Sequence, residues 1–177
     1  MWFSCQIKLI FIEKQNLMKT QKTFIGLFFL LGIIFQANAQ VFNIGGKYSE
    51  QSMFQASVNY PLLFDKEKPY DFALGLDYTT GNKLAPSGLQ PQLTAMYFLV
   101  DDKKKSYLVS ANLSAGYLFD FNKHFGNEIR ISPHLYLEFI LMNIKVGYDY
   151  LMSSQKGYPF ISIGFGGGYL FRHFSVM

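Results

Sequence analysis

The stretch Tyr107–Phe119, with the sequence YLVSANLSAGYLF, decides the fold. Apolar side chains occupy every second position from Tyr107 to Phe119, and the positions between them carry mostly Ser, Asn and Gly. A period of two places these sets on opposite faces of a β-strand, whereas a helix would repeat about every 3.6 residues. The stretch therefore predicts a strand with one apolar and one polar face.

The same alternation recurs along the chain and predicts eight strands in all. The other segments are 42–48, 54–62, 71–78, 92–99, 129–139, 143–150 and 161–171. Clusters of Gly, Pro, Asn, Asp and charged residues separate them, as is typical of turns. The longest connection is expected at 80–91, a tight turn at Ile140–Met142 and a bulge near Gly167.

The beginning of the chain has the pattern of an export signal. A short basic stretch from Met18 is followed by the apolar run Phe24–Phe35 and by Ala37-Asn38-Ala39, the small-residue pattern of a cleavage site. We predict a signal peptide at 18–39, cleaved after Ala39, and a barrel domain at 40–177. Residues 1–17 are then an over-extended start or a disordered leader.

Composition argues against several classes of protein. Half of the residues are hydrophobic, 18% are aromatic and 16% are charged, which is unlike a disordered chain. The formal charge is +4, but four lysines and one acid precede Gln40, so the remainder is close to neutral and a nucleic-acid partner is not expected. The single cysteine, Cys5, also precedes Gln40, which leaves no disulfide and no thiolate metal site beyond it.

The two faces of the predicted strands indicate where the barrel lies. Eight strands of about 9–11 residues suit a transmembrane barrel, which must close because lipid cannot satisfy an open sheet edge. The polar face carries mostly Ser, Asn, Gln, Thr and Gly, whereas the surface of a soluble barrel is usually rich in Lys and Glu. We therefore predict an all-β, antiparallel, up-and-down transmembrane barrel with its apolar face outward. A soluble lipocalin-like barrel around an apolar ligand is the alternative.

A signal peptide, eight short strands and a polar interior of small residues together resemble the small outer-membrane barrels of the OmpA/OmpX type. Near the end of the chain, Gly166, Tyr169 and Phe171 resemble the terminal-strand signal that the outer-membrane assembly machinery reads. The resemblance implies a Gram-negative outer membrane, with lipid, lipopolysaccharide and that machinery as partners. The extracellular partner stays unknown.

Charged and titratable residues on the polar face form the candidate interior network. Its members are Lys47, Asp71, Asp77, Arg130, His134, Glu138, Lys145 and Asp149. Buried charges must pair to offset desolvation, so the near-balanced set predicts a salt-bridge plug. Arg130 with Glu138 or Asp149, and Lys145 with Asp77, are the expected pairs. A narrow ion pathway is the alternative, although eight strands leave little internal space.

His173 and Ser175 are the candidate catalytic residues. The sequence His173-Phe174-Ser175 resembles the His-x-Ser pair of outer-membrane lipid A deacylases, in which histidine is the base and serine the nucleophile. Here Val176 stands where that family has asparagine, and Met177 follows. The leading expectation is therefore a non-enzymatic outer-membrane barrel with a structural or surface-interaction role, without metal or cofactor. A lipid-modifying enzyme and a small porin-like pore are the alternatives.

Overall fold

A computed structural model of the chain describes residues 41–63, 65, 67–81, 83–102 and 106–167. The predicted signal peptide at 18–39 and the start at 1–17 lie outside the described residues. So do Tyr169, Phe171, His173 and Ser175.

Eight strands make up the regular structure of the described residues. They are β1 (Val41–Ser49), β2 (Gln51–Pro61), β3 (Tyr70–Thr79), β4 (Leu89–Asp102), β5 (Tyr107–Leu118), β6 (Glu128–Phe139), β7 (Met142–Leu151) and β8 (Lys156–Gly167). Within the described part of the chain, no helix is long and apolar enough to cross a bilayer.

The strands form one closed antiparallel barrel. Each strand pairs with its neighbours in sequence, and β1 closes the barrel against β8 through a ladder from Phe42–Gly167 to Tyr48–Ile161. Closure pairs the backbone groups that an open sheet would leave at its edges. The prediction of a closed, eight-stranded, antiparallel all-β barrel is confirmed.

The connections distinguish two ends of the barrel. At the terminal end, β1 begins, β8 reaches Gly167, and β2–β3, β4–β5 and β6–β7 are joined. At the loop end lie the tight β1–β2 connection at Glu50, the β7–β8 turn and two longer connections, residues 80–88 and 119–127. The loop end therefore carries the two longest connections. The next longest, residues 62–69, lies at the terminal end.

Several boundaries differ from the expectation. The predicted tight turn is present as Ile140–Leu141 between β6 and β7, with φ of 56° at Ile140. The connection expected at 80–91 ends at Gly88, because Gln90 and Pro91 already pair with β3. The bulge expected near Gly167 is absent up to that residue, since the β1–β8 register runs without a shift to Gly167. Alternation nevertheless stops there, where Gly166 and Gly167 are both buried with positive φ.

A register shift does occur in β4, between Phe98 and Val100. It lies beside an apolar cluster that fills the terminal end of the interior. The cluster consists of Val41, Ala73, Met96, Phe98, Leu108 and Tyr136. Because Met96 and Phe98 point inward, the alternation of β4 is less clean in sequence than that of β5.

The two faces of the sheet differ sharply in chemistry. Far more large apolar side chains are exposed on the outside than are buried, and most buried side chains are polar or charged. Interior glycines allow strands to approach closely: a Cβ at Gly45 would lie 2.1 Å from the carbonyl oxygen of Ile163. The polar interior is thus narrow and filled by side chains, as expected for eight strands.

Candidate functional site

Four charged side chains meet inside the barrel, and we call them the central charge cluster: Lys47, Asp77, Arg130 and Asp149. Each lies two residues from the loop end of its strand, on β1, β3, β6 and β7 respectively. Their inward direction follows from the alternation, and closure of the barrel brings the four strands to face one another.

The ion pairs of the cluster are short and buried. Lys47 Nζ lies 2.5 Å from Asp149 Oδ2, and Arg130 Nη2 lies 2.9 Å from Asp77 Oδ2. Arg130 Nη1 lies 3.5 Å from Asp149 Oδ2 and so links the two pairs. The side chains of these residues are at most 6% exposed, so each charge depends on its partners rather than on water.

Uncharged side chains complete the cluster. Gln55 Nε2 donates to Asp77 Oδ1 at 2.7 Å, and its Oε1 accepts from the Ser162 hydroxyl at 2.7 Å. Ser132 donates to Asp149 Oδ1 at 2.6 Å, and Arg130 Nε donates to Gln90 Oε1. The Lys47 ammonium also lies 4.1 Å from the centre of the Phe160 ring, a cation–π distance.

These contacts join side chains from every strand except β5. A hydrogen bond between Thr94 and Ser114, at 2.8 Å, ties β5 to β4. The cluster therefore crosslinks the barrel through its interior, in addition to the backbone ladders. Leu118 and Leu151, both fully buried, lie beyond it toward the loop end.

The other predicted interior residues lie apart from the cluster. Asp71 is buried in the terminal half, where its carboxylate accepts from the backbone N–H groups of Leu63 and Phe72 at 3.0 and 2.6 Å. Glu138, fully buried near the terminal end, accepts from the Tyr136 hydroxyl at 2.9 Å. These two acids thus contact local structure at the terminal end.

His134 and Lys145 lie between these regions. A ring nitrogen of His134, Nδ1, is 3.0 Å from the Ser132 carbonyl oxygen, and Nε2 is 3.4 Å from Asn112 Nδ2. Lys145 Nζ donates to Ser57 Oγ at 3.5 Å. Among the described residues, no ion pair joins Lys145 to Asp77.

The expected pairings are therefore partly corrected. Arg130 does pair with Asp149, but its second partner is Asp77 rather than Glu138. Arg130 and Glu138 lie near opposite ends of β6, which keeps them apart. Asp77 pairs with Arg130 and Gln55, and no ion pair among the described residues joins it to Lys145.

Sequence reasoning missed five contributors to the cluster. Gln55, Ser132 and Ser162 stand on the polar faces of their segments, so their inward direction was visible but their bonds were not. Gln90 lies in the stretch 80–91 that the sequence predicts to be a loop, so the sequence does not indicate its contact with Arg130. Phe160 is an aromatic residue on a polar face, and no local signal marks its contact with Lys47.

The assembly-signal residues are only partly described. Gly166 lies in β8, and its N–H donates to the Leu141 carbonyl at 2.8 Å. Tyr169, Phe171 and the candidate pair His173 and Ser175 lie outside the described residues. Across the described ranges, no group of three or more His, Cys, Asp or Glu side chains is arranged to hold a metal ion.

Glu128 and Asp120 organise connections at the loop end. Glu128 accepts from the backbone N–H groups of Ser153 and Ser154 at 2.9 and 3.0 Å, fixing the β7–β8 turn. Asp120 accepts from backbone N–H groups at Asn122, Phe125 and Gly126, with distances between 2.8 and 3.2 Å. Buried carboxylates thus hold the loops above the central charge cluster.

Comparisons with known proteins leave the family open. The chain matches no protein-family model, no curated protein and no solved structure. Function must therefore be argued from the barrel and its interior alone.

Proposed function

We propose that this protein is a non-enzymatic outer-membrane β-barrel with a plugged polar interior, acting in envelope structure or in surface contacts through its loops. The observation that carries the proposal is the reversal of the two faces: large apolar side chains are exposed outside, and charges are buried inside. Transfer of such a surface from water into lipid is favourable by roughly 25 cal/mol per Å² of apolar area.

The outer face has the layout expected of a lipid-facing band. Aliphatic residues such as Leu74, Leu93 and Leu135 occupy the middle of their strands, and each is exposed. No charged side chain of the described strands faces outward away from the strand ends. A charge on the lipid face at the bilayer midplane costs about 2–4 kcal/mol, so this exclusion supports a membrane location.

Exposed tyrosines lie at both edges of that band. Tyr60, Tyr70 and Tyr97 are near the terminal end, and Tyr48 and Tyr148 are near the loop end. Tyrosine suits the membrane–water interface, because its ring is apolar while its hydroxyl can bond to water or headgroups. Two girdles separated by aliphatic residues are typical of transmembrane barrels.

The interior supports a structural plug over a pore. The central charge cluster crosses the barrel, and the interior cavity amounts to about 50 Å³. An open passage would require these buried pairs to separate, and breaking one buried pair is strongly destabilising. The resident charges therefore favour a closed barrel.

The loop end is the better candidate for an external surface. Outer-membrane barrels carry short periplasmic turns and longer extracellular loops, and residues 80–88 and 119–127 both lie at the loop end. In the second of these loops, Phe121 is 62% exposed while Asp120 fixes the backbone around it. A fixed loop with an exposed aromatic residue is suited to contact with another molecule.

Membrane fractionation with heat-modifiability tests the proposal. The full chain is expressed in a Gram-negative host, inner and outer membranes are separated, and boiled and unboiled samples are compared by gel. We expect a band in the outer-membrane fraction whose mobility changes on boiling, because a closed barrel keeps its fold in detergent until heated. Recovery as a soluble periplasmic protein would contradict the proposal and favour the lipocalin-like alternative.

A further inference from the structure

A small cavity lies inside the barrel, between the central charge cluster and the apolar terminal end. Its volume is about 50 Å³. A single water needs roughly 10–15 Å³ measured in this way, so the cavity holds only a few water-sized particles. Any resident ligand must therefore be a very small molecule or a monatomic ion.

The charges that line the cavity do not balance. Lys47, Arg130 and Lys145 contribute three positive charges, while Asp77 and Asp149 are the two carboxylates among the described residues that line it. Within this lining the imbalance is one positive charge, and the buried acids Asp71 and Glu138 lie farther toward the terminal end. Because an uncompensated buried charge is costly, an anion bound in the cavity would stabilise it.

Among the described residues, no ion pair joins Lys145 to either carboxylate. Both oxygens of Asp77 are used, by Gln55 Nε2 and by Arg130 Nη2. Asp149 Oδ1 accepts from Ser132, and Asp149 Oδ2 accepts from Lys47. The excess charge is therefore localised at Lys145.

The surroundings of Lys145 offer further donors to an anion. Its Nζ has Ser57 Oγ at 3.5 Å, a long contact that leaves ammonium protons available. The Ser57 hydroxyl lines the same cavity and can donate. Arg130 also lines it, and its Nη1, which lies 3.5 Å from Asp149 Oδ2, makes no hydrogen bond among the described residues.

We propose that the barrel interior binds a monatomic anion of the size of chloride beside Lys145, held by its ammonium group and by neighbouring hydrogen-bond donors. The anion completes the charge balance that Asp77 and Asp149 leave unfinished. Larger organic acids are excluded by the cavity volume. The inference depends on the barrel interior and not on the membrane in which the barrel resides.

Thermal unfolding in two salts tests the site. The full chain, purified from whichever cell fraction contains it, is heated in sodium chloride and in sodium gluconate at equal ionic strength. Gluconate is too large for the cavity, so it screens surface charge without binding inside. We expect the unfolding midpoint to be a few degrees higher in chloride, because a ligand that binds only the folded state stabilises it. Equal midpoints in the two salts would overturn the proposal.

Three substitutions locate the effect. Lys145→Met should remove the difference between the salts, Lys145→Arg should retain it, and the exposed Lys156→Met should leave it unchanged. A chloride effect that survives in Lys145→Met would overturn the assignment to this residue. If Lys145→Met does not fold, crystals of the natural chain grown in bromide decide the matter. An anomalous peak beside Lys145 Nζ is the expected result, and an empty site contradicts the proposal.

Discussion

The two faces of a single strand, β6, differ sharply in the polarity and exposure of their side chains. Its outer residues Ile129, Leu135 and Leu137 are between 41% and 54% exposed, while Arg130 on the inner face is 2% exposed. In a protein folded in water, the hydrophobic effect would favour the opposite arrangement. The comparison teaches that the central interior depends on polar pairing, and that an outer face in lipid, as we propose, would need no burial of its apolar side chains.

This division assigns different energetics to the two faces. Inside, folding removes water from charges such as Arg130 and Asp149. Their ion pairs must offset the free-energy cost of this desolvation. Outside, the apolar side chains contribute to stability only when lipid or detergent surrounds them. Substitutions on the two faces should therefore respond differently to the environment.

The largest expected effect is on the inner face, with Asp149→Asn. Lys47 then loses its carboxylate partner, and Arg130 loses one of two. We expect a loss of about 3–5 kcal/mol in the free energy of unfolding, because a buried charge is left unpaired. Urea unfolding of the protein in lipid vesicles measures it.

Asp65→Asn is the matched control for that change. Asp65 lies 3.7 Å from Lys68 in an exposed pair, and such pairs contribute about 0–1 kcal/mol. If both substitutions had the same small effect, the interior network would have no structural role.

The next effect in size is on the outer face, with Leu135→Arg. We expect a loss of about 2–4 kcal/mol when the barrel is in a bilayer, since a cation then lies near the hydrocarbon midplane. The control is Leu141→Arg in the terminal-end turn, where a loss of about 0–1 kcal/mol is expected at the interface. Urea unfolding from vesicles compares the two, and equal stability would indicate that the outer face contacts water.

A smaller effect distinguishes adjacent glycines on the two faces of β1. A Cβ at Gly45 would lie 2.1 Å from the Ile163 carbonyl oxygen, whereas one at Gly46 would have its nearest neighbour, the Met53 carbonyl oxygen, at 3.9 Å. Gly45→Ala should destabilise the barrel by about 1–3 kcal/mol through overpacking. Gly46→Ala should be nearly neutral, so the thermal midpoints of the two variants should separate clearly. A Gly45→Ala variant as stable as Gly46→Ala would show that β1 and β8 do not approach so closely.

Much of the fold could be predicted because alternation identifies each strand. Closure then follows, because it pairs the backbone groups that an open sheet leaves at its edges. In β5 the outer face is apolar throughout, and the inner face from Ser110 to Gly116 carries only Ser, Asn and Gly, so the period of two is clear in the sequence. β4 was harder, because Met96 and Phe98 belong to an apolar interior cluster and so interrupt the polar face. Its start was also misplaced, because Pro91 resembles a loop residue although it pairs with Leu76.

The interior side chains could be named, but their partners could not. Which residues meet across the barrel depends on the tilt and stagger of all eight strands, and no single segment encodes these quantities. Lys145 illustrates the difficulty: Asp77 was its expected partner, but in the structure that carboxylate pairs with Gln55 and Arg130. The leader at 18–39 and the pair His173 and Ser175 remain predictions, since they lie outside the described residues.

Depth-resolved fluorescence quenching tests the central claim, that the outer face contacts lipid. Trp2 is the one tryptophan of the chain, so Trp2→Phe combined with Leu135→Trp leaves a single fluorophore on the middle of β6. The same background with Phe121→Trp places it on the loop end as a control. In vesicles of brominated lipids, we expect bromines near the bilayer centre to quench the tryptophan at 135 most strongly and the one at 121 least. A tryptophan at 135 that no brominated lipid quenches would contradict a transmembrane barrel.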